Sequence, residues 1–106
     1  MDKTPQERFV EIKKEIIDIS ESYTIVRQNM NKEAPVGYEQ RHILFLQMRL
    51  NELVAELNRM TAKQEIEIPL LYKDTVNKLR RAILDNCPKE FVQVANDVEH
   101  LNEYLI

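Results

Sequence analysis

One glycine and one cysteine in 106 residues, with no tryptophan at all, exclude several classes of protein before any motif is sought. Tight hairpins and phosphate-cradling loops both lean on glycine's access to positive φ, so β-rich folds, Rossmann domains and P-loops are out. A lone Cys87 can form no intrachain disulfide and cannot build a cysteine zinc site, which fits a reducing, intracellular setting. Long hydrophobic runs are missing too. The longest purely apolar stretch, Ile43 to Leu46, is far short of the ~20 residues a membrane span needs. The stretch Met1-Asp2-Lys3-Thr4-Pro5 has no apolar signal core, so a soluble, cytoplasmic chain is expected. Neither sign of charge dominates: the net charge of -3 gives no basic nucleic-acid footprint and no acidic tail.

What the chain does have is a rhythm of apolar residues at alternating three- and four-residue steps. Phe9, Ile12, Ile16, Ile19, Tyr23, Val26 and Met30 form the first set, and Ile43, Leu46, Leu50, Leu53, Leu57 and Met60 the second. Tyr72, Val76, Leu79 and Ile83 make the third; Phe91, Val94, Val98, Leu101 and Leu105 make the fourth. A repeat averaging about 3.5 residues keeps each set on one stripe of a helix and suits helices packed nearly side by side. The expected fold is all-α, an antiparallel four-helix bundle in a single domain, with a long first hairpin and a shorter second one. Its helices should cover about 4–31, 38–62, 70–86 and 88–105.

Local signals set these bounds. Thr4-Pro5-Gln6-Glu7 is a capping sequence with proline where its missing N–H costs little. Pro35 and Gly37 mark the turn of the first hairpin. Glu65-Ile66-Glu67-Ile68 alternates as an extended connector with one side on apolar surface. Cys87 and Pro88 open the last helix, and the thiol there is expected to be buried or capping rather than catalytic.

Three arrangements invite a chemical reading. Glu39 stands three residues before His42, and Asp97 three before His100, the spacing di-iron bundles use twice. Such a centre also needs an inward carboxylate from each of the other two helices, and the stripes of the first and third contain none, so no metal site is expected. Glu52 and Glu56, one helical turn apart, could share a divalent ion and its water. This pair resembles the magnesium-binding helix of all-α nucleotide pyrophosphohydrolases, which implies a magnesium-dependent enzyme acting on nucleotides. That family pairs the helix with a second acidic one, whereas the third helix here offers Lys73, Lys78, Arg80 and Arg81. Those four cations are the third arrangement. They could meet the acidic fourth helix, Glu90, Asp97, Glu99 and Glu103, or form a basic face for a nucleic-acid-associated regulator.

The second helix is amphipathic in an unusual way. Leu44, Phe45, Met48 and Ala55 cluster roughly 100° to 200° round the helix from Ile43, opposite the main stripe. With a shorter second hairpin, the tip of the first should present Tyr23, Val26, Met30, Tyr38, Leu44, Phe45 and Met48 to a partner. The leading expectation is therefore a small non-enzymatic helical interaction protein, an adaptor, inhibitor or regulator that self-associates or docks on another protein, with no cofactor and no catalytic residues.

Overall fold

A computed structural model describes residues 3–30, 37–85 and 88–104. Four helices follow one another: α1 (Pro5–Met30), α2 (Gly37–Ala62), α3 (Leu70–Leu84) and α4 (Pro88–Tyr104). The first two have 26 residues each, against 15 and 17 for the last two. The expected all-α bundle is what forms, and its helix bounds fall within one or two residues of the sequence expectation wherever they are described. Cys87 lies outside the described residues.

Cross-helix bonds give the direction and register of neighbours. Arg8 meets Glu56 and Glu15 meets Arg49, so residue numbers on α1 rise as those on α2 fall. Gln47 Nε2 donates to the carbonyl of Ile83 at 3.1 Å and Arg80 donates to Asn51 at 3.1 Å, which reverses α3 against α2. Tyr23 touches Phe91 while Asn102 donates to the carbonyl of Lys13, which reverses α4 against α1. Each helix thus packs on its neighbours in sequence, and α1 against α4 closes the ring.

The four apolar stripes point into that ring because their 3.5-residue spacing keeps them aligned over several turns. Ile12, Ile16, Tyr23, Leu50, Leu53, Tyr72, Leu79, Ile83 and Val98 are fully buried. Phe9 and Tyr72 meet edge to face, 5.6 Å between ring centres, at the end of the bundle where α1 and α3 begin. The buried hydroxyls of Ser20 and Thr75 are satisfied within their own helices, donating to the carbonyls of Ile16 and Leu71. The Tyr72 hydroxyl has no partner among the described residues, and burial pushes its pKa up from 10.0.

The ends of the helices follow their capping chemistry. Thr4 Oγ accepts from the amide of Glu7 at 3.2 Å, as the Thr-Pro-Gln-Glu start implies. α2 closes in a Schellman motif: the Glu65 amide donates to the Met60 carbonyl and the Gln64 amide to that of Thr61, both at 3.1 Å. Gln64 takes the left-handed position at φ 58°, where a side chain crowds the following carbonyl. Gln64→Gly should therefore raise unfolding stability by about 1 kcal/mol, read as a melting-point increase of roughly 5 °C. Beyond this cap, Ile66 and Ile68 turn toward the core while Glu65 and Glu67 face water, so the connector is pinned as its alternation implies.

Candidate interaction face on the second helix

At about 100° per residue, α2 divides into sectors, and the bonds it makes identify each one. Leu46, Leu50, Leu53, Leu57 and Met60 face the core. On one flank Arg49 and Glu56 pair with α1; on the other Gln47 and Asn51 bond with α3. The remaining sector points away from the bundle. It holds Leu44, Phe45 and Met48, which are 54%, 63% and 56% exposed. Covering each would remove roughly 100 Å² of apolar area from water, worth ~2.5 kcal/mol apiece. Ala55 and Arg41 share the sector and are exposed.

The hairpin-tip expectation needs correction at two positions. Tyr23 is fully buried and Val26 is 6% exposed, so both belong inside the protomer. Phe91, at the start of α4, lies 4.5 Å from the Tyr23 ring centre, which places the short second hairpin far enough along α1 to cover it. Leu44, Phe45 and Met48 escape cover because of their angle round α2, not their height along it. The side chains of Met30 and Tyr38 lie outside those described.

Ion pairs organise the flank toward α1. Arg8 grips Glu56 with two bonds, Nε to Oε1 and Nη2 to Oε2, both 2.6 Å, and also reaches Glu11 at 3.2 Å. Glu11 also pairs with Lys3. Arg49 binds Glu15 through Nε at 2.5 Å and Nη2 at 2.9 Å, and Glu52 through Nη1 at 2.8 Å. Glu52 and Glu56, a pair by spacing, meet separate arginines in the fold, and Glu52 is the more exposed.

The Arg8 hydrogen bond is the chief cause holding the Glu56 carboxyl below its usual 4.5, with partial burial opposing it. A carboxyl whose pKa falls on folding stabilises the folded state above its unfolded pKa and loses that contribution as pH drops through the folded value. Glu56→Gln should cost about 1 kcal/mol at neutral pH, the difference from the parent shrinking as pH falls below 4.5. Urea melts of both proteins over a pH series check this.

The basic residues of α3 do not make one face. Arg80 bonds Asn51, and Lys73 lines a narrow recess with Val54, Leu57 and Asn58 of α2. Lys78 and Arg81 border a different groove with Asp85, Lys89 and Glu90, at the junction of α3 and α4. Ion pairs join Lys3 and Arg8 to Glu11, Arg8 to Glu56, and Arg49 to Glu15 and Glu52, tying α1 to α2.

His42 and His100 are exposed, on helices that stand diagonally in the ring. Among the described residues no three His, Cys, Asp or Glu side chains gather into a metal-binding group, and no helix is long and apolar enough to cross a membrane. Leu70 and Leu71, 70% and 64% exposed where α3 begins, form a further apolar pair that the stripes do not include. Their position just after Pro69, outside the third stripe, is the sequence signal of that exposure. No protein-family model, no curated protein and no solved structure matches the chain.

Proposed function

We propose that this chain is a small protein-interaction module, non-enzymatic and cytoplasmic, that adapts or regulates through the outward sector of α2. The observation that carries the reading is the contiguous trio Leu44, Phe45 and Met48, each more than half exposed on the side of α2 opposite its core stripe. Single exposed apolar residues are ordinary on a soluble protein; three adjacent ones, including an aromatic and a methionine, form the adaptable contact area that interfaces use. Whether the face takes another copy of the chain or a different protein, the chemistry is the same: an apolar strip bordered by charge.

The magnesium-enzyme alternative meets an obstacle in Arg8, which occupies both oxygens of Glu56 and supplies the countercharge a cation would bring. A nucleic-acid surface on α3 lacks a single basic face, since Lys73 and Arg80 border α2 while Lys78 and Arg81 border α4.

A photo-reactive benzoylphenylalanine at position 45 tests the proposal in cells, with the same group at exposed Glu21 on α1 as control. The expected result is one or more protein adducts from position 45 that position 21 does not give. Equal, background-level crosslinking from both would defeat the interaction-face reading.

A further inference from the structure

The outward sector of α2 carries more than an apolar trio. Arg41, Phe45, Met48, Glu52 and Ala55 follow one another at steps of four, three, four and three, a second seam with the spacing by which two helices interlock. Leu44 broadens its apolar centre. The seam is apolar in the middle, cationic at one end and anionic toward the other. A neighbour turned end for end presents the complementary order, anion against cation and cation against anion.

From this self-complementarity we infer that the occupant of the face is a second copy of the same chain, laid antiparallel along α2 about a two-fold axis between Phe45 and Met48. The inference rests on the interaction-module reading above and supplies its partner. In this register Phe45 of each copy opposes Met48 of the other, and Arg41 of each opposes Glu52 of the other, so every contact occurs twice, as an isologous interface requires. The parallel arrangement would set Arg41 against Arg41 and Glu52 against Glu52. Like charges facing across a contact disfavour that pairing.

Both charged partners are placed for the contact. The Glu52 side chain is 64% exposed, and its bond to Arg49 leaves the carboxylate able to accept a further donor. Arg41 is exposed on the same sector one turn before Phe45. The area is also adequate. The apolar trio offers roughly 300 Å² per protomer and the flanking stems about as much again, so the pair would bury on the order of 1,200 Å², the lower edge of stable interfaces. A dimer of micromolar rather than nanomolar affinity is the corresponding expectation.

Sedimentation velocity on the purified chain, from micromolar to submillimolar concentration, measures the dissociation constant. Phe45→Asp should raise it ~100-fold and Met48→Glu similarly, with helicity unchanged because both side chains face water in the protomer. Arg41→Glu and Glu52→Arg should each raise it roughly tenfold, and the double reversal should return it to within about threefold of the parent. A dimer with that pattern supports the proposal. A monomer at every concentration overturns it, as does a dimer indifferent to the reversals. Crosslinking from position 45 separates the two levels: adducts with a different polypeptide, from a chain that stays monomeric, sink the two-fold pairing and leave the interaction module standing. Crosslinking at background sinks both.

Discussion

Leu53→Ala lowers unfolding stability by about 3 kcal/mol, within the range for truncating a fully enclosed leucine. Leu53 has no solvent exposure and lies on the α2 stripe with Leu50 and Leu57, where the helices on either side of α2 also direct their core residues. Truncation removes the transfer free energy of the lost atoms and leaves a void that three neighbouring stripes cannot close together. For a domain of this size the melting point should drop by roughly 15 °C. Met48→Ala, made on the opposite side of the same helix where the side chain is 56% exposed, should change it by only a degree or two. Thermal melts of the two variants side by side test the assignment of the inner and outer sectors of α2. Equal losses would mean that the sectors are wrongly assigned.

Phe91→Ala is expected to cost about 3 to 4 kcal/mol, and its effect should concentrate on α4. The ring is 4% exposed and packs on Tyr23 with 4.5 Å between centres at a tilt of 59°. α4 meets α1 here and again near Asn102, whose amide reaches the Lys13 carbonyl at 3.4 Å, a long bond. Losing the aromatic contact leaves the start of α4 held mainly by α3. Hydrogen exchange should show the amides of α4 opening before those of α1 and α2. A double-mutant cycle with Tyr23→Leu should return a coupling near 1 kcal/mol for the ring pair. Additive losses would mean the rings contribute only as separate fillers of volume.

These two sites also mark how far residues alone could be read. The stripe through Leu53 was legible because helical periodicity is local: seven residues suffice to show which side of a helix is apolar. The outward sector through Phe45 was legible for the same reason. The burial of Tyr23 and Val26 is not legible from the first stripe on which they sit, because it depends on how far α4 reaches along α1. That is a question of register between distant segments, set by which side chains interlock across the core. Nothing within α1 encodes it.

The charged residues divide in the same way. Glu52 and Glu56 look like partners when only their own helix is in view. Once α1 runs antiparallel beside α2, Arg8 falls opposite Glu56 and Glu15 opposite Arg49, and both pairs keep the same register. Lys73, Lys78, Arg80 and Arg81 likewise look like one basic surface in sequence. Around the helix they fall into two pairs roughly 120° apart, and the neighbours on each side then claim them separately.

The ring in which each helix lies against the next one along the chain also sets how quickly the molecule can assemble. Most native pairings form between segments joined by a short connection, so little loop entropy is spent before packing begins to offset it. The docking of α4 on α1, and the contact of Phe9 with Tyr72 across the ring, join distant stretches of polypeptide. Folding in about a millisecond or less is the natural rate for such topology. The first two helices can zip together before the second pair arrives, and the closing of the circle, which costs the most loop entropy, is expected to come last.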